Sequence, residues 1–112
     1  MIEPRPAAGL LVSALIRRIG SEGGSAMVIA RGDAIAGAML LLLSNRGVPS
    51  ALVERVWRFE GGHGFERVGP ADPDEPGAVA DYVARRRKSD PDLWVVEVDH
   101  PAAERIAGEM LL

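Results

Sequence analysis

A chain of 112 residues, 47% apolar and 26% charged, has the profile of an ordinary globule with one core, so a single domain spanning residues 1–112 is expected. Its net charge of -3 argues against a nucleic-acid partner, because such domains concentrate an excess of Lys and Arg on one face. The absence of cysteine excludes disulfides, thiolate zinc sites and cysteine nucleophiles.

In chain order, Glu3-Pro4-Arg5-Pro6 reads as an extended arm, since each proline biases the residue before it away from helix. From Ala8 the spacing of Val12, Leu15, Ile16 and Ile19 predicts a helix, with Arg17 and Arg18 suiting its negative end and Gly20, Gly23 and Gly24 stopping it. Residues 10–16 match a signal-peptide core in length. However, only Arg5 precedes them, and Arg17-Arg18 stand where a small-residue cleavage site belongs, so a cytoplasmic protein is expected. Residues 26–30 (AMVIA) form a strand candidate, and Gly32-Asp33 is a turn that would return the chain along residues 38–43 as an antiparallel hairpin.

Residues 34–43 (AIAGAMLLLL) are the most apolar run, about half the ~20 residues that a bilayer-spanning helix needs, so no membrane partner is expected. The run is short, contains a glycine and has a strand-like segment on each side. Its second half therefore reads as a central strand covered on both faces, although leucine-rich composition also permits a helix. Past the turn at residues 45–49, residues 52–59 alternate, with Val53, Trp57 and Phe59 on one face and Glu54 and Arg58 on the other. Gly61-Gly62-His63-Gly64 reads as a hairpin turn into an edge strand at residues 65–68, guarded by Glu66 and Arg67. The segment GPADPDEPG (69–77) leads to a second helix, with Asp72 or Asp74 as its cap and Val79, Tyr82, Val83 and the stem of Arg86 facing inward. Residues 93–99 (LWVVEVD) are the cleanest strand, and Asp99 or His100 is expected to cap a last helix carrying Ala103, Ile106, Ala107 and Met110 inward. The order α-β-β-β-β-α-β-α predicts an α+β fold, a mixed, mainly antiparallel sheet of about five strands with three helices.

Arg31-Gly32-Asp33 followed by Ala36-Gly37-Ala38, together with Tyr82-x-x-Arg85 and the run from Asp90-Pro91-Asp92-Leu93-Trp94 to Glu97, resembles a short bacterial family catalogued as domain of unknown function 1491. The resemblance covers nearly the whole chain and implies a small stand-alone cytoplasmic domain. It supplies no activity and no catalytic residue.

Chemistry-bearing residues gather near the C-terminus. Asp90, Asp92, Glu97 and Asp99, with Arg85 and Arg86 beside them, form a candidate ligand or ion cluster. The competing reading is turn and cap chemistry, or pairing of Arg85 or Arg86 with Asp90 or Asp92. The basic run at residues 85–88 could join Arg17 and Arg18 in an anion patch, against dipole complementation at a helix end. Arg31-Gly32-Asp33 reads as a turn. His100 and Glu104 lie one helical turn apart, but two histidines without a third ligand in register predict no metal. The glycine cluster lacks the Walker lysine, and no G-x-S-x-G occurs, so neither a cofactor nor a catalytic residue is expected. These absences favour a non-enzymatic binding or assembly module that self-associates as a homodimer or meets an unknown protein partner, with Trp57, Phe59 and Phe65 as candidate interface. The alternative is a small hydrolase or nucleotide-handling enzyme using Asp90, Asp92 and Glu97 beside the arginines of the second helix.

Overall fold

A computed structural model describes residues 6–58 and 61–112 as three helices and five strands: α1 (Ala8–Ser21), β1 (Ser25–Ala30), β2 (Met39–Asn45), β3 (Val48–Arg58), β4 (Gly62–Arg67), α2 (Ala78–Ser89), β5 (Trp94–Asp99) and α3 (Ala103–Leu111). The leucine tract is the middle strand of the sheet, whose order is β1-β5-β2-β3-β4. Alternation along β2 sends Met39, Leu41 and Leu43 into a core with Val12, Leu15 and Ile19 of α1 and Ile106, Ala107 and Leu111 of α3. Leu40 and Leu42 point the other way, to Leu52, Leu93 and Val95 beneath Val79, Tyr82 and Val83 of α2. A strand covered on both faces accepts an unbroken apolar run, which is why these leucines extend instead of coiling.

The expected β1–β2 hairpin does not form. β5 lies between the two strands, antiparallel to β1 and parallel to β2, pairing Met39 with Trp94 and Leu43 with Val98. Both faces of β5 are apolar, and Trp94, Val95, Val96 and Val98 are buried, so an interior position rewards β5 more than β1, three of whose apolar side chains stay exposed. The remaining three strands, β2, β3 and β4, form the expected antiparallel meander.

Several boundaries also differ. β4 begins at Gly62, inside the glycine cluster that reads as a turn. α2 starts at Ala78 behind Gly77, which adopts φ 79°, while the Asp72 carboxylate accepts the Asp74 amide at 3.0 Å and so shapes the preceding loop instead of capping the helix. Asp99 caps no helix. Its two carboxylate oxygens accept the amides of Arg46 and Gly47 at 2.9 and 2.8 Å, closing the β2–β3 turn, where both residues have positive φ. His100 does not cap α3 either: the helix begins behind Ala102 with no side-chain cap, and His100 Nδ1 accepts the Ala102 amide at 2.9 Å in the turn that leads into it.

Candidate functional site

The acidic residues are held apart by the strand that carries them. Asp90 and Asp92 sit before β5, where the Asp90 carboxylate accepts the Asp92 amide at 3.2 Å, whereas Asp99 lies at the far end of β5 on the β2–β3 turn. At roughly 3.3 Å per residue the strand puts these ends about 20 Å apart. Glu97, between them, accepts a hydrogen bond from the buried hydroxyl of Ser44 at 3.0 Å. Among the described residues no group of three or more His, Asp or Glu is arranged to hold a metal ion. His100 is engaged at both nitrogens: Nδ1 accepts from Ala102, so Nε2 carries the proton and donates to the Glu22 carbonyl at 2.9 Å. Glu104, four residues further on, pairs with Arg67 instead.

The arginines also look elsewhere. Arg86 makes a two-pronged ion pair with Glu54 of β3, both bonds 2.9 Å, and donates to the Tyr82 hydroxyl at 2.8 Å. The bond to Glu54 raises the guanidinium pKa, and the half-buried two-pronged pair fastens α2 to the sheet. Arg87 donates to the carbonyls of Arg31 and Pro91 at 2.9 and 3.0 Å, and Arg85 is exposed. Arg18 pairs with Glu22 and Glu109 on the opposite face of the sheet from α2, so the two basic segments do not meet.

Arg31-Gly32-Asp33 belongs to a loop wrapped around the start of β5. The Asp33 carboxylate accepts the amides of Ile35 and Ala36 at 3.1 and 2.8 Å, its carbonyl accepts the Trp94 indole N–H at 2.6 Å, and its amide donates to the Asp92 carbonyl at 3.0 Å. The carbonyls of Ala34 and Ile35 accept the first amides of α1, from Gly9 and Ala8. Two separated sequence motifs thus form one structural clasp joining α1, β2 and β5.

Two places in the fold carry a pH dependence, the clasp and the contact between α1 and α3. Hydrogen bonds from Ala36 and Ile35 hold the Asp33 carboxyl below its ordinary range, and Arg18 and then Arg105 do the same for Glu109. As acid is added, the unfolded chain takes up these protons first. The stabilisation is therefore complete above the ordinary carboxylate range and drains as pH falls through it toward the lowered native values. Asp33→Asn is expected to flatten the acid limb of the stability curve, measured by urea melts between about pH 6 and pH 3.

Of the aromatic interface candidates, Phe59 lies outside the described residues. Phe65 is half-buried against the core on the α3 side, and Trp57 is 62% exposed. Trp57 stands opposite His63 across the β3–β4 pair, the rings meeting edge to face at 5.1 Å, and Arg55 Nη2 donates to His63 Nε2 at 3.1 Å. These three side chains line a cleft of about 330 Å³ with Leu11, Ile35 and Met39.

A second exposed feature is the outer edge of β1. Met27, Val28 and Ile29 are 60%, 37% and 45% exposed, and among the described residues no strand pairs with that edge. Sequence reasoning missed it by placing the candidate interface on the aromatic hairpin of Trp57, Phe59 and Phe65. The available signal was the lack of any charge in SAMVIA, against Glu66 and Arg67 on the other edge strand.

The profile of a family described as "Protein of unknown function (DUF1491)" matches residues 7–108. The crystal structure of a DUF1491 family protein from Caulobacter crescentus CB15 is similar at 31% identity, covering 91% of this chain and 94% of that one, with a TM-score of 0.76. The NMR structure of a DUF1491 family protein from the same organism gives 32% identity, coverage of 88% and 89%, and a TM-score of 0.70. The solution structure of protein Atu0922 from A. tumefaciens gives 28%, coverage of 86% and 88%, and 0.68. No curated protein matches the chain. Among the described residues no helix is long and apolar enough to cross a membrane.

Proposed function

The chain belongs to the DUF1491 family, whose description assigns no activity, and from its own surface we propose that it is a non-enzymatic assembly module that pairs with a second copy of itself along β1. The observation that carries this reading is the open, uncharged edge of β1, with Met27, Val28 and Ile29 in solvent. An edge strand offers unpaired N–H and C=O groups that another strand can complete, and natural sheets ordinarily guard such edges with charge. Antiparallel pairing of β1 with its own copy about a two-fold axis is self-complementary. It also brings Glu22, before one strand, toward Arg31, after the other. The bulge between Val28 and Ala30 confines the new ladder to the first part of the strand. The hydrolase reading gains no such support, since Asp90, Asp92 and Glu97 line neither the Trp57 cleft nor the two clefts near Asn45 and His100.

Sedimentation velocity from about 5 µM to about 500 µM tests this. The native chain is expected to move toward twice its monomer mass, and Met27→Lys with Ile29→Lys, which places like charges near the axis, is expected to weaken association at least about tenfold. A native chain that stays monomeric throughout, or a lysine variant that associates as the native chain does, overturns the proposal.

A further inference from the structure

We infer that the Met27 thioether is a modification site, oxidised to the sulfoxide by a two-electron oxidant of the peroxide class, and that this oxidation reversibly breaks the self-association proposed above, on which the inference rests. The chain has no cysteine, so methionine carries all of its sulfur. The methionines of the described residues differ in what an oxidant can reach. Met39 is 2% exposed, in the core shared by α1 and α3. Met110 is half-buried against that core, and its sulfur accepts Arg18 Nη1 at 3.8 Å. Met27 is 60% exposed on the outer edge strand, so it is the sulfur that meets an oxidant first.

The step is an oxygen transfer. A sulfur lone pair attacks one peroxide oxygen, the S–O bond forms as the O–O bond breaks, and the displaced hydroxide takes the proton left on the transferred oxygen and departs as water. Sulfur loses two electrons and the peroxide gains them. The product is a polar, chiral group where a flexible apolar one stood.

The surroundings of Met27 make that change costly to an assembled edge. Met27 stands directly opposite Glu97 of β5, so the two side chains share the sheet face that carries α2. Glu97 already accepts the Ser44 hydroxyl, and a carboxylate offers a sulfoxide oxygen no donor. Toward the second copy, the bulge after Val28 confines the new ladder to the first part of β1, which places Met27 close to the two-fold axis. Ser25, at the start of the strand, is its one side-chain donor. A sulfoxide oxygen that is solvated in the monomer therefore loses its water on assembly with little to replace it, whereas a thioether loses nothing comparable.

Sedimentation velocity of the full chain before and after hydrogen peroxide, with peptide mass spectrometry locating the sulfoxide, tests this. Met27 is expected to oxidise at least about tenfold faster than Met39 or Met110, and association to weaken at least about tenfold. Methionine sulfoxide reductases acting on both epimers should restore association, with dithiothreitol oxidised to its disulfide as the oxygen leaves as water. Met27→Leu should associate as the native chain does and keep that association under the same peroxide dose, which separates Met27 from oxidation elsewhere. Should Met27→Leu fail to associate untreated, the native chain decides alone, by whether association falls and recovers in step with the Met27 sulfoxide. An untreated native chain that stays monomeric overturns the self-association reading and this inference together. A native dimer that survives complete oxidation of Met27, a leucine variant that peroxide dissociates, or earlier oxidation of Met39 or Met110 overturns this inference alone.

Discussion

Trp94→Ala is expected to cost about 3–5 kcal/mol of unfolding free energy, a large share of the roughly 5–15 kcal/mol that holds a typical domain together. Trp94 is only 2% exposed, at the first position of β5, with its ring in the core shared by α1 and α3. Its indole N–H donates to the Asp33 carbonyl at 2.6 Å, its backbone amide to the Ala38 carbonyl at 2.8 Å, and the Arg31 guanidinium lies 5.5 Å from the ring centre. Truncation leaves a cavity too large for neighbouring side chains to fill and strips the Asp33 carbonyl of its donor. Trp94→Phe separates these effects: it keeps most of the volume and loses the donor, so about 1–2 kcal/mol is expected. Urea denaturation followed by circular dichroism gives both values. A Phe variant as unstable as the Ala variant would mean that the hydrogen bond, and not the ring volume, secures the clasp.

The parts of the fold readable from the sequence are those in which one local pattern admits one burial arrangement. The leucine tract could satisfy five consecutive apolar side chains only by having cover on both faces, and α1 and α3 announce their buried stripes through three- and four-residue spacing. The strand order was less legible because proximity in sequence suggested a β1–β2 hairpin, while the pairing was decided by the later strand with more apolar surface to bury. Residues 31–38 look like a hairpin connection, yet they carry the chain across the end of β5.

The candidate cluster was misleading for a related reason. Asp90, Asp92, Glu97 and Asp99 are close in sequence, but an extended strand spreads them out, and the parallel register that sets Asp99 beside Ser44 delivers its carboxylate to the turn at Arg46 and Gly47. Glu54, the actual partner of Arg86, comes from 32 residues away, across a sheet face that no local spacing reveals. The cleft at Trp57 is equally non-local, since it needs α1, the loop after β1 and the β3–β4 hairpin at once. Trp57 itself was legible as an exposed aromatic on an alternating strand, and its pairing with Arg55 and His63 was not.

The second large effect is expected at Gly32. A methyl group there would sit 2.2 Å from the Asp92 carbonyl oxygen and 2.7 Å from both the Trp94 backbone nitrogen and its ring Cδ1. Two of those three atoms are backbone, held in place by the hydrogen bonds from Asp33 to Asp92 and from Trp94 to Ala38, so no side-chain rotation relieves the clash. Gly32→Ala is therefore expected to cost about 3 kcal/mol, with the loop pushed off β5. Gly20→Ala is the control: it lies in the last turns of α1 with nothing near its added methyl, and better helix propensity should stabilise the chain by up to about 1 kcal/mol. Hydrogen exchange locates the damage, because the Asp33 amide donates to the same Asp92 carbonyl that the new methyl would strike. That amide should lose protection in Gly32→Ala while the amides of β2 keep theirs relative to global stability. A Gly32→Ala protein within about 0.5 kcal/mol of the native one, with the Asp33 amide still protected, would show that the loop can move away from β5 at little cost and that the clasp does not fix the end of the sheet.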